Sequence, residues 1–272
     1  MNDRIEYAAF VISHGRPNDQ KTYDFLKKKG CPNVYIVCDD LDCTLEEYKK
    51  NYGKQVLVFD KKKYMREIDT FFNVPVEGHP VYARNAVYDL AMDCGYRYFV
   101  VFDDDLKNIS LRTRKASAKV KDIDEVFQAV FRFLTSTPIY QFGTVGLRHF
   151  IGGYKEDYFW EAVHISFCDT QRRVYYYSHY FEDAVSPAIF NKTGRIICGT
   201  CNLQASFIDD GSNAGGIENH TRAQRYLYSF GALMGAPTSI KVLYSGKNKS
   251  WETYKKNQDH PMIVHEKWKK PR

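Results

Sequence analysis

Three consecutive carboxylates, Asp103-Asp104-Asp105, end the run Tyr96-Arg97-Tyr98-Phe99-Val100-Val101-Phe102. Aromatic and β-branched residues of this kind suit a buried strand. A sheet core does not hold three anions, so the acids must sit where the strand leaves the sheet. In open α/β sheets that carboxyl edge is where ligands bind. Alternation along the strand puts Asp103 and Asp105 on one side and Asp104 on the other. An Asp-x-Asp pair so arranged can hold a divalent cation against phosphate oxygens. Taken alone, the triplet is more often an exposed acidic turn, because short carboxylate motifs recur by chance. The elements around it decide.

Those elements begin with an apolar run, Tyr7-Ala8-Ala9-Phe10-Val11-Ile12, which breaks at the donor-rich turn Ser13-His14-Gly15-Arg16-Pro17-Asn18. A helix is expected from about Asp19 to Lys29, stopping at Gly30. Val34–Cys38 and Gln55–Phe59 read as second and third strands, ended by Asp39-Asp40 and Asp60-Lys61, with a helix from Leu45 to Tyr52 between them. Strand and helix alternating at this spacing indicate a parallel sheet wound by right-handed crossovers. After a loop through Pro75, Gly78 and Pro80, Ala83-Arg84-Asn85 opens a helix whose stripe Val87, Leu90, Ala91, Cys94 has helical spacing, and Gly95 closes it just before the acidic strand. A further helix carries Ile123, Val126, Phe127, Val130, Phe131 and Leu134 on one face, with Asp122 as its cap.

From Gln141 the texture changes. Phe142–Leu147, Glu161–Phe167 and Arg173–Tyr177 read as strands without long helices between them, so a mixed, partly antiparallel second half is expected. The fold class is α/β, one domain over 1–272, with a mostly parallel half to about residue 110 and a mixed half beyond it.

At 272 residues, 44% hydrophobic and 26% charged, the chain has the composition of a globular protein able to bury a substantial core. No apolar run approaches a membrane span and the first residues lack the apolar core of a signal peptide, so a cytoplasmic location is expected. The seven cysteines are odd in number and mostly embedded in apolar segments, which favours reduced core thiols. Cys198-Gly-Thr-Cys201 has the spacing of half a zinc site, but no second Cys/His pair accompanies it. The formal charge of +6 is compatible with a polyanionic partner.

A half whose fourth strand ends in Asp-x-Asp, followed by a mixed half, resembles the GT-A fold of nucleotide-sugar glycosyltransferases. Within that fold, Ser13-His14-Gly15-Arg16-Pro17-Asn18, Ala83-Arg84-Asn85 and Phe102-Asp103-Asp104-Asp105-Leu106 look most like the phage-type, TET-associated DNA glycosyltransferases, which add a sugar to the hydroxymethyl group of modified pyrimidines. The resemblance implies that Ser13, His14 and Arg16 open the nucleoside site, that Asp39 or Asp40 holds the base, and that Arg84 and Asn85 face the diphosphate with Asp103 and Asp104. It also implies that Asn213-Ala214-Gly215-Gly216-Ile217-Glu218-Asn219 corresponds to the Gly-Gly-Glu-Asp element that supplies the catalytic base of inverting members. Asn219 stands where that element has Asp, which leaves one carboxylate instead of two. Met262–Trp268 resembles the C-terminal element whose histidine, here His265, completes the metal shell.

The chemistry follows from charge. A nucleoside diphosphate leaves poorly until neutralised, so Asp103, Asp105 and a divalent metal would lower the barrier to breaking the sugar–phosphate bond. Hard oxygen ligands suit Mg²⁺ or Mn²⁺, and the imidazole of His265 would favour Mn²⁺. The acceptor hydroxyl must lose a proton, a task for Glu218, with Asp210 and Asp183 as competitors.

Two stretches suit DNA. The stretch from Leu106 to Lys121, read as a loop, carries Lys107, Arg112, Arg114, Lys115, Lys119 and Lys121 with no acid, and is expected either to grip DNA phosphates beside the reaction centre or to cover the donor diphosphate. In Arg172-Arg173-Val174-Tyr175-Tyr176-Tyr177-Ser178-His179-Tyr180, basic and aromatic residues interleave as in surfaces that stack bases, although tyrosines are also good strand formers. The expected donor is a uridine diphosphate sugar and the expected acceptor is 5-hydroxymethylcytosine in DNA. Three alternatives stand beside it: a protein or glycan acceptor, a non-catalytic DNA-binding module on the same fold, and a nucleotidyltransferase.

Overall fold

Apolar residues on both faces of the first and fourth strands call for packed layers on either side of a central sheet, and a computed structural model has that architecture. It describes residues 4–71, 79–113, 116–144, 158–159, 162, 164–179, 182–207, 234–235, 240–243 and 262–265. Strands β1 (Tyr7–Ile12), β2 (Val34–Asp39), β3 (Val56–Phe59) and β4 (Tyr98–Asp103) run parallel, with β1 between β2 and β4. Helices α1 (Lys21–Lys28), α2 (Leu45–Tyr52), α3 (Lys61–Glu67) and α4 (Pro80–Asp93) fill the crossovers.

The caps are those the sequence supplies. Gly30 and Gly95 adopt φ of +83° and +81°, where an L side chain would be strained, and end α1 and α4. Asp60 accepts from the Lys63 amide at the start of α3. Pro80 opens α4 at a position where no amide donor is needed.

Beyond the acidic turn, β5 (Leu106–Arg112) and β6 (Ser117–Lys119) form a hairpin, and Asp122 caps α5 (Ile123–Thr135) by accepting from the Asp124 and Glu125 amides. The main sheet continues through β7 (Gln141–Thr144), β8 (Tyr158–Phe159), β9 (Ser166–Asp169) and β10 (Ile197–Thr200), in the order β3-β2-β1-β4-β9-β7-β10-β8. Strand β9 runs antiparallel to both β4 and β7, so this half of the sheet is mixed as expected. Helix α6 (Glu182–Asn191) precedes β10. A second sheet joins β11 (Leu203–Phe207) to the β5–β6 hairpin, and β12 (Ile240–Leu243) pairs antiparallel with β13 (Met262–His265).

Strand alternation sorts the core into two. Tyr7, Ala9, Val11, Val100 and Phe102 pack against Leu26 of α1 and Phe127 and Phe131 of α5. Ala8, Phe10, Phe99 and Val101 pack against α4 through Val87, Tyr88 and Ala91 on the other face. The cysteines are all free, and five of the seven are buried, as reduced core thiols should be. Burial pushes the Cys198 thiol up to about 11, which makes it a poor ligand or nucleophile.

Two expectations need correction. Residues 106–121, read as a loop, are largely a β-hairpin. Residues 173–177 pair with no strand among the described residues; side chains of α4 hold them instead, Asn85 accepting from the Tyr176 amide and Asp89 from Arg173. Val174 and Tyr176 are buried and Tyr175 between them is exposed, so the alternation marks burial on one side, not sheet pairing.

Candidate active site

The chain winds from β1 outward to β3 and then returns to β4 on the other side of β1, which makes the gap between β1 and β4 the switch point where an open α/β sheet binds ligands. Ile12 pairs with Asp103 in register, so Ser13 and Asp104 are the next residues out, side by side. The first turn of α1 fastens the acidic turn from below: Thr22 Oγ1 donates to the Asp103 carbonyl at 2.7 Å and accepts the Leu106 amide at 2.8 Å. Thr22 is fully buried, so these two bonds to the backbone of the turn are shielded from water.

Those carboxylates are spread among different partners. Asp104 accepts from Ser13 Oγ at 2.6 Å and from Arg16 Nη1 at 2.6 Å. Ser13 is in turn bonded to the Tyr48 hydroxyl and to Gln20 Nε2, each at 2.7 Å. Burial raises the Asp104 pKa, and Ser13 and Arg16 oppose that rise. Asp104 is therefore the buried anchor that fixes the Ser13–Arg16 loop.

Asp103 turns the other way, toward α4, where Arg84 Nη2 donates to Oδ1 at 3.0 Å and Oδ2 at 3.3 Å. Arg84 Nε donates to Glu182 Oε1 at 2.9 Å. Burial works against the Arg84 charge, but Asp103 and then Glu182 outweigh it, so its pKa is raised. Burial likewise raises the Glu182 pKa, against the pull of Arg84. Asp103 and Asp104 thus part to opposite sides, as alternation predicts. The strand ends at Asp103, so the turn and not the pleat places Asp105.

Among the described residues Asp105 has no ion-pair partner, and its pKa is raised to about 6 by burial and then by Asp103 and Asp104. Among the described residues, the ion pairs of Asp103, Asp104, Asp105 and Glu182 are with Arg16 and Arg84, so with all four ionised this group carries two negative charges more than positive ones. A hard divalent cation matches that deficit in sign and size. Among the described residues no group of three or more His, Cys, Asp or Glu is placed to hold a metal ion; Mg²⁺ commonly binds through one or two carboxylates together with substrate phosphates and water, which suits Asp103 and Asp105. The donor set fits Mg²⁺ or Mn²⁺.

At the end of β2 lies a second charged group. His14 Nδ1 is 2.9 Å from Asp39 Oδ2, and Lys61 Nζ donates to the same oxygen at 3.2 Å. Asp42 accepts from the Gly15 amide at 2.8 Å. Asp40 accepts from the Lys61 amide and caps the start of α3 from the side. The hydrogen bond to Asp39 raises the His14 pKa against opposing burial; burial works against the Asp39 charge, but His14 and Lys61 prevail and its pKa is lowered. A raised histidine pKa contributes stability that is fully present below about 6.5 and is lost as pH rises through the folded value. The melting-temperature deficit of His14→Ala is therefore expected to be larger at pH 5.5 than at pH 8.5, measurable by thermal unfolding across that range. An equal deficit at both ends would show that the pair does not titrate as described.

Several expected site residues are turned inward. Asn85 is fully buried, donating to the Val81 and Tyr176 carbonyls, so it does not face a diphosphate. Tyr176 is 3% exposed and donates its hydroxyl to Gln141 Oε1, so it stacks no base. Arg172 donates to the carbonyls of Leu134, Thr137 and Ile139 and closes the end of α5, while Arg173 is spent on Asp89 and the Asn85 carbonyl. Arg172, Arg173 and Tyr176 are thus part of a seam between α4, α5 and β7, while Tyr175 between them is exposed, with Arg173 over its ring at 5.0 Å. Arg112, on β5, donates to Gln204. Glu218, Asp210, Arg114 and Lys115 lie outside the described residues. His265 ends β13, with its backbone paired to Ile240. Sequence reasoning missed Thr22, Tyr48, Gln20, Lys61 and Glu182, none of which sits in a recognisable motif; each is found only through its buried polar atom.

A sheet that is parallel through its first half, with a fastened acidic turn at its switch point, defines a Rossmann-like α/β fold of the kind that nucleotide-dependent transferases use. The family model of the TET-Associated Glycosyltransferases matches residues 7–193, which include the acidic turn, Arg84, the Asp39 group and Glu182. The chain belongs to that family and is a glycosyltransferase, acting with a nucleotide-sugar donor and an acceptor. A comparison with curated proteins finds no match. None of the described helices is long and apolar enough to cross a membrane.

Proposed function

We propose that the protein moves a sugar from a uridine diphosphate sugar to the hydroxymethyl group of 5-hydroxymethylcytosine in DNA, with inversion, on a GT-A-type site centred on Asp103 and Asp105. The observation that carries the proposal is the three-carboxylate turn at the switch point, tied down by Thr22, in which Asp105 has no ion-pair partner among the described residues. Mn²⁺ or Mg²⁺ bound there supplies charge neutralisation for the departing diphosphate. Arg84 adds a guanidinium beside Asp103, and Arg16 fixes the loop that carries Ser13 and His14 over the nucleoside. Asp39, with His14 and Lys61, lies at the end of β2 where a base would rest. Glu218 is assigned the role of general base toward the acceptor hydroxyl, in keeping with the resemblance of its element.

The β5–β6 hairpin supports the choice of DNA. It leaves the sheet directly after the acidic turn, and Lys107, Lys119 and Lys121 on or beside it are exposed. Its outer strand β6 borders the three-stranded sheet β11-β5-β6, and its exposed lysines suit phosphates flanking the major groove, where the hydroxymethyl group lies. Replacing these three lysines by glutamine should weaken binding to a hydroxymethylated duplex and flatten its salt dependence by up to about 0.9 in slope per lost phosphate contact. An unchanged slope would remove the hairpin from the interface.

The overall test is mass analysis of nucleosides from hydroxymethylated DNA incubated with the protein, Mn²⁺ and a panel of nucleotide sugars. A hydroxymethylcytidine mass increased by one sugar residue is expected with a uridine diphosphate donor. Transfer only to a protein or glycan in parallel reactions would redirect the acceptor assignment, and release of pyrophosphate would instead mark a nucleotidyl transfer.

A further inference from the structure

Arg84 is bonded unequally at its two ends. Toward α6 its Nε donates to Glu182 Oε1 at 2.9 Å, and the Glu182 side chain is 8% exposed. Toward the acidic turn a single nitrogen, Nη2, is divided between Oδ1 and Oδ2 of Asp103 at 3.0 and 3.3 Å, and the Asp103 side chain is 36% exposed. Neither contact is the two-nitrogen, two-oxygen pair of the strongest arginine–carboxylate bridges; they differ in that the Glu182 bond is single, shorter and buried, whereas the Asp103 contact is divided, longer and open to the site. The guanidinium also stands 5.9 Å from the ring of Tyr176, which is itself pinned through its amide to Asn85 and through its hydroxyl to Gln141. One end of Arg84 is fixed and buried. The other rests against a carboxylate that faces the site.

We infer that Glu182 is a positioning residue for the donor site: by holding Arg84 from behind, it lets the guanidinium screen Asp103 without claiming it, so that the Asp103 carboxylate remains open to the cation. The inference rests on the donor-site reading of the acidic turn. Without the Glu182 charge, Asp103 is the one carboxylate among the described residues still hydrogen-bonded to the buried guanidinium, with Asp183 acting at longer range, and Arg84 competes with the cation for it. With that charge present, Arg84 is already paired and can stay in place while the cation binds.

The test is a titration of the full chain with Mn²⁺ followed by electron paramagnetic resonance of the free ion, on the wild type, Glu182→Gln and Glu182→Asp. Glu182→Gln keeps the shape and one acceptor but loses the charge, and its Mn²⁺ dissociation constant is expected to rise on the order of tenfold. Glu182→Asp restores the charge and is expected to recover most of that loss. A purely structural role would lower the melting temperature of the variants and leave Mn²⁺ affinity of the folded protein unchanged; that result overturns the inference.

A second measurement needs no variant. During a Mg²⁺ titration of wild type labelled at arginine nitrogen, the Arg84 Nε–H resonance should hold its position while the Nη signals move. Movement of Nε–H with the ion would show that the Glu182 bond is not the fixed one, again overturning the inference. If the wild type takes up neither Mn²⁺ nor Mg²⁺, even with uridine diphosphate present, the donor-site reading fails and this inference falls with it. Normal uptake by wild type and Glu182→Gln alike removes only the role of Glu182.

Discussion

The Asp105→Asn protein should lose roughly 10²–10³-fold in kcat/KM for sugar transfer, the scale set by removal of one preorganised electrostatic group, and yet be at least as stable as the wild type at pH 8. Both halves of that expectation come from the same observation. Asp105 has no ion-pair partner among the described residues and titrates near 6, because burial and two neighbouring carboxylates disfavour its charge. A carboxyl whose folded pKa is raised contributes stability below its unfolded value and loses it as pH rises through the folded one. Above about pH 6 the metal-free wild type carries that cost, and the asparagine variant does not. Thermal unfolding at pH 4 and pH 8 without metal checks the second half: the variant's advantage should appear only at the higher pH. A variant that is both inactive and unstable at pH 8 would mean that Asp105 holds the fold together instead of serving the site.

Phe127→Ala should be the most damaging single truncation in the fold, at about 3–5 kcal/mol. Its ring is fully buried and meets Phe167 edge-on at 5.0 Å, with Tyr7 and Phe102 each at 6.0 Å. Those partners lie on β9, β1 and β4, so one side chain of α5 fastens three neighbouring strands. For a chain of this size the loss corresponds to a fall in melting temperature of roughly 2–4 °C per kcal/mol. Met92→Ala, at 50% exposure, serves as the contrast and should stay within about 0.5 kcal/mol of wild type. Urea denaturation of the two variants separates the cases; a Phe127→Ala loss near that of Met92→Ala would show the α5 layer to be loosely packed. The truncation also reaches the site, because Phe102 directly precedes Asp103.

The parallel half was legible from sequence because its signals are local. Apolar runs such as Tyr7–Ile12, glycines at the ends of α1 and α4, and the Asp122 cap each announce an element within a few residues. Three acids ending a strand were legible for the same reason: no sheet interior accepts them. What sequence did not reveal was pairing across distance. Arg84 and Glu182 are 98 positions apart, and Asn85 and Tyr176 are 91 apart; nothing in either segment marks the partner. The run from Arg172 to Tyr177 looked like a nucleic-acid surface because cation and aromatic residues alternate there. The same composition equally builds a buried seam, in which arginines close carbonyls and carboxylates of neighbouring helices. The β5–β6 hairpin was hidden by its lysines, which belong to an exposed ribbon and lower the apparent strand propensity.

The central claim is that the acidic turn grips a cation together with the donor diphosphate. Crystals soaked with Mn²⁺ and uridine diphosphate, with data collected at the manganese edge, test it directly. The account predicts one strong anomalous peak within coordinating distance of Asp103 and Asp105, bridged to diphosphate oxygens. A diphosphate bound elsewhere, or an acidic turn that remains without manganese while the nucleotide is present, would contradict it.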